Sequence, residues 1–475
     1  MPSVFISGGG PSGLAAALLF EQLGWDEIVV AERRAGPEDF EKNKSFNYLI
    51  DPRGQRLLGQ IGLLDQLPEH GVATTVFKAV VVAANGTAKT ITAPTIDPDR
   101  PVCYWTTRRV LLNMLCNAIL ERASPRIQLL YRHKVAGIDR LESGRAQIRV
   151  SGPDGAERHF TPDLVLACDG LNSAVRAALE QQSEVPAGHF AMLKSPSLSA
   201  GLRYKVLNLP ARFASATGQV AIDDNQMGYI MPSRHKDRRK ACALFAFPVV
   251  SPDHPRSVNL IREADHDLWT ISDPDALLAF LADAFPQLDI PALVPRGEAE
   301  DFVGMEAGSF PEPQHAANLH ASIGPAAAPT QFLLIGDAAH AFPPDLGLGV
   351  NSALQDLTVL AEHLQAARPL AENVAAYAAE RLPETRDLVW MVANTFPEQY
   401  GHRPWRLRAW LAGFLLRKLL HRLAPAIFDK PANYLSQDPV MTYGEMRRRT
   451  VRTSARLRLL GGAMLSLLLL GWLVS

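Results

Sequence analysis

Cysteine is scarce in this chain, and what there is has no pattern. The four cysteines, Cys103, Cys116, Cys168 and Cys242, show no C-x-x-C or other metal-ligand spacing. A disulfide framework and a thiolate metal centre therefore have no footing. Three of the four lie in apolar runs, and all four read as small core residues in a reducing compartment. An excess of one charge is missing as well. With 48 basic against 49 acidic side chains, nothing global points to nucleic acid. The N-terminus carries no basic n-region, apolar h-region or cleavage site, which predicts a cytosolic body. No Ser/His/Asp set, carboxylate pair at useful spacing or metal cluster stands out. Thirty-five prolines and many short strands describe a loop-rich fold and not a repeat array. At 475 residues and 47% hydrophobic, the chain can still bury a large core, in two interleaved domains plus a tail.

What is present lies in three separated segments. Val4-Phe5-Ile6 is a short apolar run of the kind that forms a buried parallel strand. It leads into Gly8-Gly9-Gly10-Pro11-Ser12-Gly13, after which residues 14–20 read as a buried helix. A strand, a glycine turn and a helix set unpaired N–H groups and the positive end of a helix dipole against a pyrophosphate. Gly8 permits the turn, Gly10 lets backbone approach the phosphates, and Gly13 lets helix and strand pack closely. A second strand at 28–31 ends on Glu32, followed by Arg33; a carboxylate there can accept from both ribose hydroxyls of an adenosine. This segment establishes a dinucleotide site and leaves FAD and NAD both open.

The other two segments decide between them. A buried strand at 164–168 ends in Asp169-Gly170, and another at 332–335 ends in Gly336-Asp337-Ala338-Ala339-His340. Then come Pro343-Pro344, Gly347-Leu348-Gly349-Val350-Asn351 and an amphipathic helix through Asp356. Asp337 can hold ribityl hydroxyls, while the helix N-terminus faces the electron-rich edge of a reduced flavin. Gly347 and Gly349 allow backbone to lie against a ring where a side chain would collide. Pro343 and Pro344 stiffen the loop. His340, directly after the turn, reads as structural.

In their order these segments resemble the class A flavoprotein monooxygenases of the p-hydroxybenzoate hydroxylase superfamily, and within it the kynurenine 3-monooxygenase family. Ser45-Phe46-Asn47-Tyr48-Leu49 with Arg53-Gly54 is similar to that family's segment after the first βαβ unit. Thr106-Thr107-Arg108 with Leu111 and Leu115 resembles its Arg-x-x-Leu-x-x-x-Leu helix start, which implies that Arg108 lies along the FAD phosphates. Val440-Met441-Thr442-Tyr443-Gly444-Glu445 resembles its C-terminal region. The resemblance implies bound FAD, NADPH or NADH docking transiently near Asp169, and oxygen transfer through a flavin C4a-hydroperoxide. Departures fall where substrate would bind. The family clamps an amino-acid carboxylate with a strand arginine and helper tyrosines. Here residues 76–81 carry only Lys78, and near Asn394-Thr395-Phe396 the first tyrosine is Tyr400.

The expected fold class is α/β. A Rossmann-like, glutathione-reductase-type FAD domain comprises 1–72, 100–179 and 314–366. A mainly antiparallel substrate sheet comprises 73–99 and 180–313, and a helical region at 367–445 completes the pocket. Asn85-Gly86 signals a type I′ hairpin, and Asp275 an N-cap for a helix at 276–285. Residues 459–475 carry no formal side-chain charge and follow six arginines between 447 and 458. This predicts a membrane helix at 456–475 that holds the enzyme at the cytosolic face. Tryptophans, leucines and arginines at 405–423 suit a membrane surface or the catalytic body. The substrate expected is an aromatic or lipophilic small molecule, hydroxylated or epoxidised with O2. The alternatives are kynurenine itself and reduction of an isoprenoid by a flavin dehydrogenase.

Overall fold

The computed structural model describes residues 2–39, 47–396, 400 and 404–474, the side chains of 404 and 463–474 excepted. The apolar runs become one six-stranded sheet, ordered His320–Ile323, Thr330–Leu334, Leu164–Ala167, Ser3–Ser7, Glu27–Glu32, Ile127–Tyr131. All neighbours are parallel except the first pair. Helices such as Pro11–Gln22 and Gly349–Leu364 pack against it, so its strands are apolar on both faces. Register decides what matters for function. Ser7 pairs with Ala31 and Ala167, and Ala167 with Leu334, so the three glycine-acid turns leave one carboxyl edge together.

A seven-stranded sheet lies beyond that edge, ordered Gly308–Ser309, Arg203–Leu209, Arg256–Arg262, Ala243–Ala246, Gly228–Pro232, Lys78–Val82, Ala88–Thr92. Its pairs are antiparallel save Gly228–Pro232 with Lys78–Val82. One face, with Leu207, Leu244 and Leu260, buries against the helices Pro274–Ala284 and Arg296–Gly304 through Leu277, Leu281 and Phe302. On the other face Val206, Asn259 and Phe245 stand abreast. Phe77 and Phe247 join Phe245 there and meet Trp105 of the strand Cys103–Thr107. That strand belongs to a small three-stranded sheet with Asn47–Ile50 and Val72–Thr74, which bridges the two larger ones.

Two local expectations are corrected. The hairpin at Asn85-Gly86 forms, but only Gly86 takes a positive φ (+82°). Gly86 N–H donates to Ala83 and Ala83 N–H to Thr87, a three-residue loop closed by a left-handed glycine and not a type I′ turn. The cap of the 274–284 helix is Asp273, whose carboxylate accepts from Ala276 N–H at 2.7 Å. Pro274 takes the first helical position, which moves the start ahead of Asp275.

The C-terminal third is helical: Leu370–Thr395, Pro404–Leu423, Ala432–Leu435 and Tyr443–Val474. Among the described residues no helix is long and apolar enough to cross a membrane, so the spanning anchor at 456–475 finds no support. The physical reason within the described part is the arginine-rich first half of that helix. Most of the apolar run lies among the side chains outside the described residues, as do Ser45 and Phe46. The helix Pro404–Leu423 docks by Trp410 and Phe414, stacked in a row with Phe396.

The two candidate caps separate experimentally. Asp273→Ala should cost about 1 kcal/mol of stability, and Asp275→Ala, whose partner Arg296 is exposed, less than about 0.5 kcal/mol. Urea unfolding of both variants gives the comparison; equal losses would contradict the assigned cap.

Candidate active site

The first turn is shaped by steric necessity. Gly8 sits at φ +99°, and a Cβ there would stand 2.4 Å from the Cys168 carbonyl oxygen. A Cβ on Gly13 would stand 1.8 Å from the Gly8 carbonyl oxygen, so strand and helix touch through bare backbone. Gly10 faces open space, and the helix Pro11–Gln22 that follows it has no side-chain cap, with Pro11 at its first position. Free N–H groups and room beside them are what a pyrophosphate needs. Ser12 lies close by the third turn, where a Cβ on Gly336 would come 3.2 Å from its hydroxyl.

Glu32 ends its strand with both oxygens fixed, one by Gly9 N–H at 2.7 Å and the other by Arg34 N–H at 2.8 Å. Each oxygen retains a lone pair for a ribose hydroxyl. The pocket around it is lined by Arg34, Arg108, Leu112 and Tyr131. Arg33, the other basic candidate beside Glu32, is exposed, while Arg34 lines this pocket. Adjacent positions on an irregular turn point apart, and the sequence carried no signal for choosing between them. Arg108 opens its helix behind Thr107, whose hydroxyl accepts from Val110 N–H. It lies near the Tyr48 phenol, which burial pushes up in pKa.

Asp169 uses one oxygen three ways, accepting from Ala174 and Val175 N–H and from the Ser7 hydroxyl. Its other oxygen is buried without a partner among the described residues. Asp337 is exposed, yet desolvation by the surrounding protein raises its carboxyl pKa despite the opposing pull of His340 and Arg108. An accessible but desolvated carboxyl stands on the wall of a cleft, where it can meet a ligand. An orphaned acceptor, an uncapped helix and a paired ribose carboxylate at one sheet edge fit FAD. Gly8, Gly10, Pro11, Ser12, Gly13, Glu32, Arg34 and Arg108 would hold its adenosine and phosphates, and Asp169 and Asp337 the rest of its length.

Behind that cleft lies a cluster that the sequence reading did not see. Asp356 accepts from Gly336 N–H at 2.9 Å, from His340 Nε2 at 2.8 Å and from Arg381 Nε at 2.6 Å. Burial raises the pKa of its carboxyl, but His340 and Arg381 outweigh this and hold it at about 2. His340 is buried and gives its Nε2 to this contact, while its Nδ1 has no partner among the described residues. The only sequence signal was Asp356 about two turns along an apolar helix, with no hint of Arg381.

The loop from 343 to 351 is anchored from both sides. Pro343 is buried. The Leu348 side chain packs with Leu388, Met391 and Tyr443 of the C-terminal helices, which leaves its backbone on the loop. Asn351 is consumed internally, donating to the Leu49 and Gly347 carbonyls and accepting from Asp51 N–H. Only backbone at Gly347 (φ +65°), Gly349 and Val350 remains to lie beside a ring, with open space at Gly349. Asp345, between the prolines and these glycines, is buried with both oxygens unpartnered among the described residues. Burial, opposed only by the Ser199 hydroxyl, pushes its pKa up to about 7.

These parts define an FAD-dependent oxidoreductase of the monooxygenase class. The chain belongs to the FAD binding domain family, whose pattern matches residues 1–248 and 325–391. It is 26% identical over 449 residues to a protein named kynurenine 3-monooxygenase from Xanthomonas campestris pv. campestris, covering 93% of this chain and 87% of the relative. It shares the fold of 2-methyl-3-hydroxypyridine-5-carboxylic acid oxygenase (TM-score 0.58, 17% identity, 83% and 90% covered). It also shares that of P. aeruginosa PqsL in complex with 2-aminobenzoylacetate (TM-score 0.57, 18% identity, 85% and 97% covered). Among the described residues no group of acids, histidines and cysteines could hold a metal.

Two substitutions probe the geometry. Asp337→Ala should keep its melting temperature without cofactor but lose most bound FAD on gel filtration; full flavin occupancy would contradict its place on the cleft wall. Asp356→Asn should destabilise the protein by about 3–5 kcal/mol, because Arg381 is left buried beside a neutral partner. A loss under about 1 kcal/mol in urea unfolding would show that the cluster is dispensable.

Proposed function

We propose that this enzyme uses NADPH or NADH and O2 to hydroxylate or epoxidise a lipophilic aromatic molecule held between the 343–351 loop and the aromatic face of the second sheet. The observation that carries this is the half-buried group Phe77, Trp105, Phe245 and Phe247, on the sheet face turned away from its own helical core. Such rings give area and shape to a flat apolar ligand. Bound FAD supplies the redox chemistry, taking electrons from the nicotinamide and passing an oxygen atom to the substrate. The chain binds and orients both partners and keeps water from the ring edge.

Kynurenine is the second reading, favoured by the names of relatives such as the Xanthomonas campestris protein. Against it stands the state of the basic groups that could clamp its carboxylate. Lys78 and Arg203 are exposed, and Arg100 turns to the Thr74 carbonyl at 3.5 Å.

A membrane surface is proposed as the setting. The helix Pro404–Leu423 leaves Leu415, Leu416, Leu419 and Leu423 exposed beside Lys418 and Arg422. An apolar row flanked by cations suits anionic lipid.

The deciding experiment follows oxygen uptake and NADPH oxidation by FAD-loaded protein with L-kynurenine, and with a panel of lipophilic phenols and indoles. Stimulated uptake and a hydroxylated product with a lipophilic aromatic, but not with kynurenine, is the expected result. Hydroxykynurenine formation would overturn the substrate assignment, and nicotinamide turnover without oxygen uptake would overturn the monooxygenase. Separately, the protein should co-sediment with anionic vesicles and should lose that binding on Leu415→Glu/Leu419→Glu; unchanged sedimentation would refute the surface.

A further inference from the structure

Among the buried ionisable side chains that the proposed mechanism leaves unused, Asp345 sits in the loop proposed to lie beside the ring. Asp345 follows Pro343-Pro344 and precedes Gly347, so its backbone is held by the same anchors that fix the flavin-edge loop. The side chain is 96% buried by the residue's 4% exposure, and neither oxygen has a hydrogen-bond partner among the described residues. A carboxyl in that condition is costly to bury if no donor fully meets it.

Its surroundings come from three parts of the chain. Ser199 lies before the strand Arg203–Leu209, and its buried hydroxyl faces the Asp345 carboxyl, which it steadies as a donor against the effect of burial. Tyr400 comes from the C-terminal region and is close enough that the Asp345 charge, after burial, raises the pKa of its phenol. Tyr400 packs on Phe310 (5.7 Å between ring centres), which packs on Tyr204 (5.1 Å). On the same sheet face, Asn259 has its amide oxygen buried and unpartnered among the described residues. The Asp345 carboxyl, Ser199 and Tyr400 thus meet where the loop, the sheet and the C-terminal region converge, beside the Phe310 and Tyr204 rings. An acceptor oxygen in a pocket selects for a ligand with donors, and the ionised carboxylate rejects one whose own charge is negative.

We infer that Asp345 is the specificity-determining residue of the substrate site, accepting a hydrogen bond from an O–H or N–H group carried directly on the aromatic ring. The ligand class is therefore a phenol or arylamine without a carboxylate. This rests on the proposed function, naming the chemistry its substrate must present.

The titration of Asp345 has a consequence for the folded protein without ligand. The groups that bear on it are the Ser199 hydroxyl and the Tyr400 phenol. The folded chain keeps the Asp345 proton up to about pH 7, whereas an unfolded aspartate releases it near about pH 4. Stability therefore falls as pH rises across that interval, and Asp345→Asn should flatten this slope in thermal unfolding. An unchanged slope would contradict the burial of an unmet carboxyl.

Ligand binding tests the assignment directly. FAD-loaded protein is titrated with 1-naphthol against 1-methoxynaphthalene, and with 1-naphthylamine against N,N-dimethyl-1-naphthylamine, following the flavin absorption band. The native protein should bind at least one donor roughly tenfold more tightly than its methylated partner. Asp345→Ala should erase that preference with flavin content unchanged, and Asp345→Asn, which keeps an acceptor oxygen, should retain part of it. The phenol and amine arms show which donor is preferred. A preference that survives in Asp345→Ala, no preference in the native protein, or no binding of any of the four compounds would overturn the assignment. Oxygen uptake is read separately: an Asp345-dependent preference without turnover would refute the proposed reaction and leave the ligand class standing.

Discussion

The Asp356 carboxylate is where three distant parts of the chain are tied. Gly336 N–H reaches it from the third glycine-acid turn, His340 from the short strand after that turn, and Arg381 from the middle of a long C-terminal helix. Each donor alone would be a modest contact. Together they compensate a buried charge that could not otherwise exist, and they hold Asp337 at the cleft wall without touching any ligand. Arg381 also donates to the Ser352 carbonyl and lies over the Tyr443 ring, so the same ion pair seats the C-terminal helix.

A second tie completes the frame. Asn351 joins the flavin-edge helix to the strand Asn47–Ile50 and to Asp51. Gly54 has no Cβ because one would stand 2.5 Å from the Asn351 amide oxygen. Arg53 then carries the link onward, donating to the Ser436 carbonyl and lying over Tyr443. The loop that faces the ring is therefore braced by polar side chains behind it, while its front is nearly bare backbone. A rigid back and an open front are what a flat cofactor requires.

The dinucleotide half was legible because its constraints are local. Gly8, Gly13 and Glu32 each answer to neighbours within one strand-turn-helix, and such spacing survives in sequence. Asp356 and Arg381 were not legible, since 25 residues and a change of helix separate them and either could be an ordinary surface charge. The inward turn of the Leu348 and Asn351 side chains was not legible for a related reason. Both residues stand in the right motif, but their side chains turn inward to hold the loop, and only three-dimensional packing shows that. Asp345 beside two prolines was not singled out in the sequence; its importance rests on burial, which no pattern of neighbours announces. The cap at Asp273 was missed by two positions because Pro274 at the first helical position was not weighed.

The account stands on one claim, that the shared edge of the six-stranded sheet is built around FAD and that the second sheet and the C-terminal helices close over it. The direct measurement is the flavin content of the purified protein, released by heat and identified by chromatography. The account predicts one equivalent of free FAD per chain, taken up again when the stripped, folded protein is given FAD. A folded protein that neither carries nor takes up FAD would contradict it.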